Sequence, residues 1–407
     1  MTAERPQLLV MATGVGRVYR EYLLASMSER YRLHLLGGAE PTWERAYVTG
    51  WTIAGDPLET VDAADLIAAA RGVPADGVFT WDEARVLQCA KVAAALGLPG
   101  GDPEAIMRCR DKHRTREALA AAGVPQPASV LVSTAEEALA AADRIGYPVV
   151  LKPRALAASL GVVRVDTPDE LAERFEFARD TTVPGAWQYD AAALVEEYLP
   201  DPEVSVDSAV HQGTVYPMFL ARKEIGYPPY FEEVGHVVDA ADPLLTDPAI
   251  RQVVQDTHTA LGFRDGMTHT ELKLTASGPK VIEVNARLGG DLIPYLGLLA
   301  TGMDPGLAAA AVAVGKPPEL TATRRRVAAV QFFYAEHDDT TIGEIRFDAA
   351  GLPKPIELAE PLVKPGTVVS PPPKGTLFGR IAVAVAVADD VEECRDALTG
   401  ARAALSY

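Results

Sequence analysis

The stretch TELKLTASGPKVIEVNARL, residues 270–288, decides how this chain is read. Ser277 and Gly278 separate two runs of alternating apolar and polar residues, a pattern that predicts an antiparallel hairpin centred near Ser277. Glu271 and Glu283 each lie six residues from that centre and so face one another, with side-chain roots roughly 5 Å apart. Like charges directly opposed destabilise a sheet, so this register demands compensation. Asn285 and Arg287 follow Glu283 at intervals of two and share its face, whereas Ile282 and Val284 are expected on the core side. Two carboxylates, an amide oxygen and a guanidinium brought together suit a divalent ion such as Mg2+ and the oxygens of a phosphoryl group. A plain wetted sheet face would alternate in the same way. Against that reading, Asn disfavours strands, and Gly289 and Gly290 permit close approach of a ligand.

Working outward, residues 8–12, 31–36 and 77–80 read as buried strands, with helical patterns over 19–31 and 82–96. Strand and helix in alternation predict an open parallel α/β domain. Gly14 and Gly16 begin a dinucleotide-type glycine pattern, but Tyr19 stands where its third glycine belongs. A second unit starts near Ile106, where Asp111 is placed to cap a helix, Gly123 to close it, and Pro125 and Pro127 to stop it. Strands over 128–132 and 149–152 flank a helix over 134–145. From Leu194 the alternation of Val204, Val206 and Ser208 predicts an antiparallel sheet. Beyond Leu320 the chain is proline-rich with short strands, among them 381–387, and a final helix over 391–405. The expected division is 1–105, 106–190, 191–319 and 320–407.

With 407 residues, 48% of them hydrophobic, the chain is too long for one compact domain and can bury several cores. A net charge of −18 argues against nucleic acid and anionic membranes as partners and favours small molecules. Cys89, Cys109 and Cys394 lack the spacing of a metal knuckle or redox pair. The opening residues MTAERP suggest neither a leader nor an anchor, so a cytoplasmic protein is expected.

Glu271, Glu283, Asn285 and Arg287 at this spacing resemble the ATP-grasp superfamily. The resemblance implies an α/β and α+β architecture with a parallel N-terminal domain, a small central lid and an antiparallel C-terminal region. It further implies that Glu271, Glu283 and Asn285 hold Mg2+, or alternatively Mn2+, against ATP. Lys112 in RDKH and Lys152 in YPVVLKP match the family's two phosphate-binding lysines. The loop RALAASLG, residues 154–161, stands where the family covers the phosphates; it is poor in glycine, yet Ser159 and Gly161 keep a Ser-x-Gly end. In VEEYL, Glu196 with the backbone of Glu197 and Leu199 would hold adenine, and Glu203 the ribose.

A closer likeness to amino-acid ligases rests on FEEVGH, in which Glu233 would meet an amino group and His236 the reacting carboxylate. Glu83 in WDEAR, Arg287, Gly290 and Asp291 also match substrate-binding positions. Some relatives carry tryptophan where this chain has Asp291, so the pocket should differ in size and charge. The implied reaction joins a carboxylate to an amine through an acyl phosphate, with Arg287, Lys152 and His236 as catalytic candidates and His236 a guess at the base. A carboxylase-like or purine-pathway ligase, a non-catalytic nucleotide-binding protein and a homodimer remain open.

Overall fold

The computed structural model describes residues 5–14, 16–55, 63–156, 158–182 and 192–407. Strands β1 (Gln7–Met11), β2 (Arg32–Gly37), β3 (Gly50–Ile53) and β4 (Gly77–Phe79) form a parallel sheet in the order β3-β2-β1-β4. From Leu8 to Met11 β1 is apolar without a break because both of its faces are covered. Leu8 and Val10 join one core with Leu23 and Leu24, while Leu9 and Met11 join another with Leu66 and Val92.

The middle of the chain carries β5 (Ser129–Val132), β6 (Val149–Pro153), β7 (Val163–Val165) and β8 (Ala193–Glu197), ordered β5-β8-β6-β7 and antiparallel. Its lead-in helix, Lys112–Ala122, begins as the sequence predicts: the Asp111 carboxylate accepts from the backbone N–H groups of His113 and Arg114. Gly123 ends it in the left-handed conformation at φ 69°.

A large antiparallel sheet follows, in the order β13 (Gly278–Asn285), β12 (Gly266–Thr275), β9 (Glu203–His211), β10 (Thr214–Gly226), β11 (Glu232–Asp239), β14 (Val327–Tyr334), then Arg380–Ala388 and Ile356–Pro361. The segment after residue 320 therefore supplies long interior strands besides short ones. The run VAAVQFFY of β14 lacks alternation because both its faces are covered: Val330 and Phe332 enter one core, Val327 and Phe333 another. Helices Ile293–Thr301 and Pro305–Ala313 contribute to the core that joins the large sheet to the N-terminal one. Among the described residues, no single helix is long and apolar enough to cross a membrane.

The hairpin departs from expectation in an instructive way. Its turn is Ala276–Ser277, and Gly278, at φ 111°, opens β13 opposite Thr275. That register, continued, would set Glu271 opposite Ile282. A bulge between Glu271 and Leu272 shifts the ladder by one residue, so Glu271 pairs with Glu283 and His269 with Asn285. Ile282, expected in the core, instead lines the cleft described below, whereas Val284 is fully buried.

Close packing fixes the helical layer. A Cβ on Gly297 would lie 2.4 Å from the Phe219 ring of β10, so the helix sits on the sheet only with glycine there. Gly297→Val should destabilise the fold by ~1–3 kcal/mol through overpacking. A lowered thermal midpoint is expected, and an unchanged one would contradict this packing.

Candidate active site

One cleft draws on β6, the loop after it, the end of β8, and strands β9 to β13. Glu271, Glu283, Asn285 and Arg287 all line it, as do Lys112, Lys152, Ser159, Glu203, Glu233, Gly290 and Asp291. Period-two alternation on paired strands, corrected by the bulge, brings the hairpin side chains to one face.

The opposed carboxylates have separate cations. Lys112 Nζ lies 3.1 Å from Glu283 Oε1, and Lys223 Nζ lies 3.0 Å from Glu271 Oε1. His269 Nε2 is 3.4 Å from the same Glu271 oxygen, while its Nδ1 bonds Asp207. Burial alone would lower the His269 pKa, but Asp207 and Glu271 outweigh it and raise it to about 9. Burial likewise opposes ionisation of Glu271, yet Lys223 and His269 hold its pKa far below the usual carboxylate range. The other Asp207 oxygen accepts from Gly289 N–H at 3.0 Å, tying the glycine pair to β9.

The Asn285 amide nitrogen donates to Glu83 Oε2 at 3.2 Å and Glu283 Oε1 at 3.3 Å. The groups that the hairpin offers an ion, the Glu271 and Glu283 carboxylates and the Asn285 amide oxygen, are all hard oxygen and fit a Mg2+-like ion.

Arg287 is oriented by Glu83, whose Oε2 lies 2.9 Å from Nε, and donates to Leu288 O at 2.8 Å. Glu83 also lies 3.7 Å from Arg110 and falls outside the cleft lining. Its carboxylate holds the arginine in place.

Lys152 and Glu196 form a buried pair at 2.6 Å, and Arg116 grips the same carboxylate at 2.7 and 3.1 Å. Burial lowers Lys152, with Arg116 and Lys112 adding to it, to about 8 although Glu196 opposes the shift. Burial pushes Glu196 up, but Arg116 and Lys152 prevail and hold it near 2. The Glu196 carboxylate thus aims Lys152 while itself lining the cleft. Where β8 ends, Glu197, Tyr198 and Leu199 still line the cleft, facing the apolar Val150, Leu160 and Ile282.

The loop over the cleft begins at Arg154, held by Asp111 through bonds of 2.9 and 2.7 Å. Lys112 donates to Leu156 O, so one lysine touches both this loop and the metal hairpin. Leu156, Ala158 and Ser159 adopt positive φ despite carrying side chains; Ala157 lies outside the described residues. Gly161, at φ 74°, turns the chain between Leu160 and Val162 of the cleft lining, where an added Cβ would meet Thr181 and Pro153.

His236 does not suit a general base. It is fully buried and outside the cleft lining, with Nε2 3.2 Å from Glu233 and 3.5 Å from Asp291. Burial would lower its pKa, yet the two carboxylates raise it and so favour the imidazolium. Asp291, in the left-handed region at φ 51°, takes both oxygens to Arg380 at 2.6 and 2.8 Å. Arg380 also donates to Tyr334 and to Glu233 O, and stacks 3.8 Å from the Phe332 ring centroid. Arg380→Met leaves Asp291 and Glu232 without that cation and should cost ~3 kcal/mol in urea unfolding; a loss below ~1 kcal/mol would contradict the role given to this pair.

Lys223, Asp207, Arg116 and Arg380 escaped the reading of the sequence because each acts across strands or segments distant in the chain. His269 was within reach: it stands two residues before Glu271 and shares its face.

Comparisons with known proteins agree with this geometry. A model for the ATP-grasp domain matches residues 145–294, and a second matches 106–158. The chain carries an ATP-grasp domain, and ATP-grasp proteins use ATP with a divalent metal. "Uncharacterized protein y4rH" of Sinorhizobium fredii is 32% identical over 77% of this chain and 64% of its own length. Alanine–anticapsin ligase of Bacillus subtilis is 29% identical over 57% of this chain and 52% of its own, so the chain spans between half and two thirds of these relatives. An L-amino acid ligase structure from Bacillus licheniformis superposes with a TM-score of 0.81, covering 99% of this chain and 98% of that one at 23% identity, which shows the shared fold.

Proposed function

We propose that this chain is an ATP-dependent carboxylate–amine ligase, joining two amino acids or an amino acid and a related amine. The observation that carries the reading is the hairpin pair Glu271 and Glu283 with Asn285, set beside Lys112 and Lys152 in one cleft. A carboxylate is inert to amines until its oxygen becomes a leaving group, and transfer of the γ-phosphoryl of ATP to form an acyl phosphate makes it one. The amine then displaces phosphate, so the products are an amide, ADP and phosphate.

Each side chain has a part in this chemistry. Glu271, Glu283 and Asn285 would hold Mg2+, with Mn2+ as an alternative, and the ion would neutralise phosphate charge. Lys112 and Lys152 stabilise negative charge on the transferred group, and Arg287, kept in line by Glu83, meets the reacting carboxylate. Ser159 offers a further contact to phosphate, and the strand end at Glu197 to Leu199 receives adenine against apolar walls. Glu203 meets the ribose and Glu233 the amine, while Gly290 and Asp291 border the acceptor. His236 now supports Glu233 rather than taking a proton. We place the enzyme in the cytoplasm, with small molecules as its partners, as a monomer or a homodimer.

The test is to incubate the protein with ATP, Mg2+ and hydroxylamine against a panel of amino acids and small acids. Hydroxamate with an amino acid is expected. Bicarbonate-stimulated ADP release without hydroxamate would point to a carboxylase-like enzyme, and nucleotide binding without turnover to a non-catalytic protein. Glu283→Gln should lower turnover at least ~100-fold by removing charge from the metal site; near-normal rates at saturating Mg2+ would refute it.

Lys152 also sets a pH dependence. With its pKa lowered to about 8, it is charged below that pH and neutral above it. The KM for ATP should therefore rise as pH increases through about 8, and Lys152→Arg should flatten the rise because arginine stays protonated. A flat wild-type profile across that range would contradict the assignment.

A further inference from the structure

Lys223 has no part in the mechanism above, yet it is the most heavily engaged cation in the cleft. Its side chain is 2% exposed, and its Nζ lies 2.8 Å from Glu203 Oε1, 2.8 Å from Glu233 Oε1 and 3.0 Å from Glu271 Oε1. An ammonium has three N–H donors, so these contacts use its full capacity. The three carboxylates come from β9, β11 and β12, and Lys223 from β10 between them. Without it, the acids would converge with only Lys273 on Glu203, His269 on Glu271 and His236 on Glu233 as compensation. Like charges this close in a poorly solvated site repel strongly.

We infer that Lys223 is a positioning residue that binds the nucleotide, metal and amine subsites into a single unit by holding one carboxylate of each. This rests on the functional reading above, in which Glu203 serves the ribose, Glu271 the metal and Glu233 the amine. It goes beyond that reading because one residue, its ammonium fully engaged by three carboxylates, then governs three kinds of ligand together. A defect at Lys223 spreads to nucleotide and amine alike, whereas a defect confined to one acid stays local.

Calorimetric titration of ADP with Mg2+ and the KM for hydroxylamine in the trapping assay test this together. Lys223→Met should weaken ADP at least ~10-fold and raise the hydroxylamine KM by a similar factor, because three acids lose their shared cation. Lys223→Arg, which keeps the charge, should recover part of both effects. Should Lys223→Met fail to fold, Lys223→Gln, neutral but able to donate hydrogen bonds, is expected to show the same paired defect. Unchanged ADP affinity and hydroxylamine KM in a folded variant would overturn the proposal, as would a lowered thermal midpoint alone. If the wild-type protein forms no hydroxamate, the ligase reading fails, while the ADP titration still decides whether Lys223 organises the nucleotide and metal subsites.

Discussion

Two carboxylates forced to face each other on neighbouring strands are the constraint around which this molecule is built. Opposed glutamates would repel in an ordinary sheet, and here the repulsion is met by cations from outside the hairpin and one histidine within it. Lys112 arrives from the helix that opens the middle segment, Lys223 from β10, and His269 from the strand of Glu271 itself. The geometry that places the acids depends on one irregularity, the bulge that sets Glu271 against Glu283. Bulges commonly serve to re-aim side chains, and this one also turns Ile282 into the cleft.

From that pair the electrostatics spread through charges that neutralise one another in sequence. Lys152 is aimed by Glu196, which Arg116 holds; Arg287 is aimed by Glu83; Glu233 is backed by Lys223 and His236. Buried charges without partners are expensive, so each functional group has a counter-charge that also fixes its direction. Arg380 extends this principle from the C-terminal segment by clamping Asp291 at the cleft wall.

Much of the architecture was legible because it rests on local rules. The Asp111 cap and Gly123 stop, the helix ending at Ile145, the buried β1 and the hairpin itself follow from capping, glycine conformation and periodicity. The turn lay half a residue from its expected centre, and the bulge restored the pairing; neither leaves a mark in the residue pattern. After residue 320 the strand over 381–387 was legible, whereas Val327–Tyr334 was hidden because a strand covered on both faces shows no alternation. At the site, residues on one strand could be grouped by period two, whereas the partners that determine their roles could not. Glu196 and His236 looked free in the sequence, and only the fold shows Arg116 and Lys152 on the one, Glu233 and Asp291 around the other.

The central claim is that Glu271 and Glu283 together hold a divalent ion against a nucleotide. Paramagnetic resonance of Mn2+ titrated into the protein with ADP addresses it directly. The wild-type chain should remove free Mn2+ from solution at a protein-dependent site, and a Glu271→Gln, Glu283→Gln double variant that remains folded should not. Equal Mn2+ uptake by the two proteins would contradict the account.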